Sequence, residues 1–218
     1  MINTDINLSN LIYQQIKNDI IEMRRFPGTF VLERQLADEF ATSRTPVREA
    51  LKRLMQEGWL IGDDRCRSKV SELTETRCNE VFAVRSMIEN YALSCTFIRG
   101  DCRVLAGKLD VEIKNMEKLK TRSIEFVKTD LRFHTTIIDH LGNSVLSKIW
   151  QSISDEITRI SIFAMDEERR PDIILKEHYS IMQALWNENP TELISLDRHM
   201  NLIMDGLMRT LKIKQGAL

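Results

Sequence analysis

Three of the four histidines in this 218-residue chain interrupt apolar stripes. His134 follows Val127 and Leu131 and precedes Ile138 and Leu141. His178 lies between Ile174 and Ile181, and His199 between Leu196 and Ile203. Those spacings put each imidazole on the inward side of a helix. One inward histidine is ordinarily a hydrogen-bonded core residue; three on three helices point to something shared. Asp130 stands four residues before His134, so the two side chains occupy one helix face. Phe126 and Phe133 flank it, and burying an unpaired carboxylate there would cost several kcal/mol. A divalent metal held by Asp130, His134, His178 and His199 offsets that charge. Mixed imidazole and carboxylate donors suit zinc, nickel, manganese or iron, and leave the metal open. His140 has no such setting and reads as a surface residue.

Arg85 belongs with this group. It falls in the stripe Val81, Arg85, Ile88, Ala92 and so points inward. Two readings stand side by side. Glu89, one turn later, is placed for an ion pair. Alternatively the guanidinium clamps an acidic ligand, since it pairs bidentately with a carboxylate.

A second set of arginines lies near the N-terminus. Arg44 sits in a polar turn, and Arg48 falls in the first turn of the helix that follows. That helix is expected from Pro46 to about Glu57, with Thr45 as N-cap and Gly58 as its stop. The N-terminal residues of such a helix meet base edges in the major groove, and arginine is shaped to read guanine. Arg34, at the start of the preceding helix, is placed for a phosphate or a base. Arg65, Arg67 and Lys69 alternate, so strand periodicity puts them on one face, a basic wing. Lys52 and Arg53 lie further along and read as solvated.

These residues need positioning elements. A helix is expected from Leu8 to Met23 with Ile16 and Ile20 inward, ending at Pro27-Gly28. A short one follows from Glu33 to Phe40. After the third helix come two short strands, Trp59-Leu60-Ile61 and Lys69-Val70. This order is that of a winged helix-turn-helix over residues 1–72. Residues 73–218 read as an all-α antiparallel bundle of six helices, near 75–99, 101–120, 123–141, 144–165, 171–188 and 191–212. The fourth carries the stripe Leu146, Ile149, Ile153, Ile157 and Ile160. The fold class is therefore mainly α.

Composition narrows the class further. Charged residues make up 29% and apolar ones 43%, values of a soluble chain with a real core. No apolar run reaches the length of a membrane span, and the first residues lack the order of a secretion signal, so no membrane association and a cytoplasmic location are expected. The four cysteines form no C-x-x-C pair and read as free thiols. Net charge is −1, and the first 70 residues carry eleven Lys/Arg against ten Asp/Glu. A DNA-binding face must therefore come from local clustering rather than bulk charge.

The run Ser43-Arg44-Thr45-Pro46-Val47-Arg48-Glu49-Ala50-Leu51, with Pro27-Gly28, Leu36-Ala37 and Leu54 to Gly58, resembles the GntR family of bacterial regulators. The resemblance implies that Arg34, Arg44, Thr45 and Arg48 contact operator DNA. One departure stands out. The family's wing tip usually carries a glycine, whereas here the tip has none and Gly62 comes just before it, with Asp63 and Asp64 beside it. The second half resembles the FCD effector domain of the FadR-like branch through Val84-Arg85, Ile88-Glu89, Asp130, Phe133-His134, Gly142-Asn143, Glu177-His178 and His199-Met200. That resemblance implies one Asp and three His around a metal, a small organic acid completing the site near Arg85 and Asn143, and a homodimer. The implied function is regulation of transcription at an operator of two half-sites, with repression the expected sense. Two alternatives stand beside it: a metal-dependent enzyme built on the Asp/His site, and a regulator whose metal is purely structural. Against the enzyme, no general base stands beside the ligands and the N-terminal motif would have no role.

Overall fold

The computed structural model describes residues 2–63, 67–165, 170–193 and 204–209. The chain divides into two compact units, Met1–Thr74 and Glu75–Leu218.

In the first unit, helix α1 (Ile2–Ile21) buries Ile12, Ile16 and Ile20 completely, one residue per turn on a single face. It packs on α3 (Arg44–Gln56), whose Val47, Ala50, Leu51 and Leu54 are buried. Helix α1 stops two residues before the expected Met23, because Met23 adopts φ +60°. Beyond it, Asp19 gathers the turn: its carboxylate accepts from Gln15 and Arg24, and its carbonyl from the Arg25 amide. Helix α2 (Glu33–Glu39) turns into α3 through Ala41 at φ +47°.

Helix α3 begins two residues earlier than the sequence suggests. Ser43, not Thr45, is the N-cap, and it makes no side-chain cap bond. Pro46 still falls within the first turn, where backbone N–H groups have no intrahelical acceptor, so its missing donor is harmless there.

The wing is a three-stranded antiparallel sheet rather than a two-stranded hairpin. Strand β3 (Arg67–Val70) lies between β1 (Phe30–Leu32) and β2 (Leu60–Asp63). Strand β1 was not foreseen, since three residues are too few to display alternation. Trp59 is buried just ahead of β2 rather than within it. Alternation along β3 buries Ser68 and Val70, and puts Arg67 and Lys69 on the opposite face.

The second unit is an all-helical bundle: α4 (Glu75–Arg99), α5 (Cys102–Glu117), α6 (Ser123–His140), α7 (Ser144–Ala164) and α8 (Arg170–Trp186). Short connections make successive helices antiparallel. Helix α6 packs against α4, α5 and α7, and α8 against α5. Where a sixth long helix was expected, the described residues show a 3-10 turn at Pro190–Leu193 and helix at 204–209; the rest of that stretch lies outside them. Leu105, Leu109, Ile113, Phe126, Phe133, Ile137, Trp150, Ile160 and Ile181 form the core. The expected α7 stripe holds only in its second half. Ile157 and Ile160 are buried, but Ile149 is exposed and Trp150 takes the inward position, donating from Nε1 to Thr135 at 2.8 Å.

Gly62 is required by close approach rather than by a turn. It pairs with Ser68, and a Cβ there would lie 2.6 Å from the Arg67 carbonyl oxygen. Backbone cannot move aside as a flexible side chain would. Gly62→Ala is therefore expected to destabilise the first unit by about 1–3 kcal/mol, read as a lower urea midpoint; an unchanged midpoint would show that the β2–β3 pair has room to spread.

Candidate metal centre and nucleic-acid interface

Helices α6 and α8 carry the donors. Asp130 and His134 stand one turn apart on α6, and His178 faces them from α8. One ligand atom from each of the three can be chosen so that all lie within 4.8 Å of one another. The Asp130 Oδ1 is 3.2 Å from His178 Nε2 and 3.9 Å from His134 Nε2. Both imidazoles are fully buried, and the His178 ring stacks on Phe133 with centroids 4.0 Å apart. Burial first, and then the charge of Arg85, hold His134 well below its ordinary pKa of 6.5. His178 is lowered in the same sense by burial, by His134 and by Arg85. Neutral imidazoles gathered beside a carboxylate are the donor chemistry a divalent transition metal takes. The three residues fit such an ion. His199, the expected fourth ligand, lies outside the described residues.

Beside the donors runs a buried polar chain. Arg85, on α4, donates from Nε to Glu89 Oε1 at 2.8 Å, and the other Glu89 oxygen meets His134 Nδ1 at 2.6 Å. All three side chains are fully buried. The ion pair with Glu89 is thus made, yet it engages only the side-on edge of the guanidinium. The terminal nitrogens Nη1 and Nη2 have no hydrogen-bond partner among the described residues. A buried charge with donors to spare can still accept a carboxylate.

In the first unit, Arg34 on α2 and Arg44, Thr45 and Arg48 at the start of α3 are all exposed. Arg48 is held in place. Its Nε and Nη2 donate to the two oxygens of Glu33 at 3.1 and 2.9 Å, and Glu33 is 7% exposed where Arg48 is 68% exposed. Glu33 went unnoticed in the sequence because its partner is fifteen residues away, and no helical or strand period links them. Arg53, expected to be solvated, stacks on the Tyr13 ring at 3.6 Å and pairs with Glu57. On β3, Arg67 is exposed, and Lys69 pairs with Glu72 at 2.8 Å. Arg65 and the wing tip lie outside the described residues.

Residues 8–70 match the model of the bacterial regulatory proteins of the gntR family, and residues 80–201 match that of the FCD domain. This chain is a GntR-family regulator with an FCD domain. A relative from Bacillus licheniformis, named the gluconate operon transcriptional repressor, is 31% identical over 166 residues, covering 72% of this chain and 67% of that one. The uncharacterized HTH-type transcriptional regulator YdhC of Bacillus subtilis is 28% identical over 180 residues, with 81% and 80% covered. Among solved structures, that of Lar from Listeria monocytogenes superposes with a TM-score of 0.67 at 16% identity, covering 92% and 96% of the two chains. That likeness speaks for the fold.

The family decides against the enzyme alternative: GntR-family proteins are transcriptional regulators that bind DNA. In this regulator Asn143, expected near the acid, is exposed and caps α7, its Oδ1 accepting from the Val145 and Leu146 amides. His140, expected on the surface, instead has its side chain 5% exposed, with Nε2 3.1 Å from Asp101. Cys78, Cys95 and Cys102 are free, as expected, and Cys66 is outside the described residues. No helix of the described residues is long and apolar enough to cross a membrane.

The lowered imidazoles carry a pH signature. Below 6.5 the unfolded chain takes up protons that the folded bundle refuses at His134 and His178, so folding weakens as pH falls. With a chelator present, acidifying from about pH 7 to about pH 5.5 should lower the melting temperature of the bundle, and His178→Gln should flatten that slope. A melt indifferent to pH over this window would contradict neutral, buried imidazoles.

Proposed function

We propose that this GntR-family regulator binds an operator as a homodimer and is released from it by a small organic acid. Arg34, Arg44, Thr45 and Arg48 form the base- and phosphate-reading face, with Arg65, Arg67 and Lys69 on the wing against the backbone. Asp130, His134 and His178, joined by His199, hold a divalent transition metal. Bound there, the metal supplies a Lewis-acidic position for one oxygen of the acid. Arg85 grips the carboxylate end-on through Nη1 and Nη2. The observation that carries this reading is the buried convergence of Asp130, His134 and His178 beside the Arg85–Glu89 pair, whose guanidinium has terminal donors in reserve.

Acid binding draws α4 toward α6 and α8, because Arg85 and the donors stand on different helices. Repacking a bundle shared by two copies changes the spacing of two DNA-binding units, and a twofold operator has half-sites at fixed separation. Effector and DNA are then linked by one coupling free energy, of either sign. The relative that represses a gluconate operon supports the repressor sense. A regulator of this kind works in the cytoplasm, where its operator is.

The experiment that tests the effector half is a thermal-melt screen of the full chain against small organic acids, hydroxy and sugar acids included, with and without chelator. A ligand of the folded state raises the melting temperature by mass action, about 2.7 kcal/mol at a hundredfold excess over Kd. An acid whose stabilisation vanishes on chelation and in Arg85→Met is the expected result; stabilisation indifferent to chelator would leave the metal with a structural role only. For the DNA half, sequences selected from a random pool by the wild type provide the probe. Arg48→Ala should lower affinity for them by about 1–3 kcal/mol and relax base preference, and Glu33→Gln should relax it less. Equal affinity for selected and scrambled DNA in the wild type would end the operator reading.

A further inference from the structure

Glu89 is fully buried yet is neither a metal donor nor a DNA-reading residue. Its two oxygens do separate things. Oε1 accepts from Arg85 Nε at 2.8 Å, and Oε2 lies 2.6 Å from His134 Nδ1. A carboxylate oxygen paired with a guanidinium can only accept, so the proton of the His134 ring resides on Nδ1. The lone pair is then on Nε2, the atom 3.9 Å from Asp130 Oδ1 and on the side where His178 stands. An imidazole free to choose would divide itself between two tautomers, and only one of them presents a donor to that space.

We infer that Glu89 is the positioning residue of the metal centre: held by Arg85, it fixes the tautomer and ring orientation in which His134 offers Nε2. The inference rests on the metal reading of Asp130, His134 and His178. Three rigid groups stand in series, guanidinium, carboxylate and imidazole, on two packed helices. Such outer partners of a ligating histidine raise its basicity and restrict its rotation.

The test uses the full chain and Zn²⁺ alone, titrated against a chromophoric chelator. Glu89→Gln removes the charge that selects the tautomer. Because it also leaves Arg85 buried without its counter-charge, the double variant Arg85→Met/Glu89→Leu accompanies it, replacing the pair with apolar groups of similar volume. Both variants are expected to bind Zn²⁺ roughly 10–100-fold more weakly than the wild type. In the metal-free protein, ¹⁵N shifts of the histidine rings should show His134 as the Nδ1-protonated tautomer, and the double variant should lose that preference. If Glu89→Gln fails to fold, the double variant decides. Retention of the Nδ1-protonated tautomer in the double variant, whatever its affinity, overturns the assignment, and so does unchanged Zn²⁺ affinity. Asp130→Ala separates the two failures. If it abolishes Zn²⁺ binding while the Glu89 variants bind normally, the metal reading stands and the role of Glu89 falls. If it too binds normally, the metal reading itself falls and takes the inference with it.

Discussion

A guanidinium removed from water must be answered inside the protein, and in the helical unit Arg85 is answered by Glu89. Removing one partner of such a pair leaves an uncompensated buried charge, at a cost of roughly 3–5 kcal/mol. The constraint reaches well beyond the two residues. Glu89 shares its second oxygen with His134, His134 shares α6 with Asp130, and Asp130 meets His178 on α8. One polar layer therefore ties α4, α6 and α8 together through an otherwise apolar core. Phe133 packs against both imidazoles and Phe82 lies against the guanidinium, hydrocarbon that lowers the local dielectric and strengthens these contacts. Apolar packing alone would let these helices slide by small steps; directional bonds between buried groups allow few registers.

The first unit solves a different problem with the same kind of device. Helix α3 exposes Arg44 and Arg48 at its start, and the fold ties down the helix and then one of these side chains. Helix α1 lays three isoleucines against α3, which fixes the helix itself. Glu33, at the start of α2, then holds Arg48 by two hydrogen bonds. In the proposed reading, an arginine already ordered loses less freedom when it meets a base, so its pairing would be more selective.

Donor chemistry by itself does not name a function. Asp130, His134 and His178 would serve a hydrolase as readily as a sensor, because the same ligand set recurs on unrelated proteins. What separates the two is the company the site keeps: a helix-turn-helix unit in the same chain, and a family of regulators that matches both halves. The buried Arg85 adds a cation whose terminal donors have no partner among the described residues.

Much of this was legible in the residues. The sequence placed a helix near 75–99, where α4 lies, and helical periodicity placed His134, His178 and Arg85 on inward faces, because a 3.6-residue period is a local property that any stretch of chain displays. The exposed arginines of α3 followed from the same logic together with the turn before them. Tertiary structure alone decided what lay between elements. Strand β1 is fixed by the partner that β3 offers it, since three residues, however β-prone, show no alternation of their own. Ile149 is outside and Trp150 inside because of where α4 and α6 meet α7, which no single helix can declare. Glu33 with Arg48, and Glu89 with His134, are pairings over fifteen and forty-five residues. The sequence shows which groups need a partner; only the fold brings one within 3 Å, since hydrogen bonds act at contact and contact is a property of three dimensions.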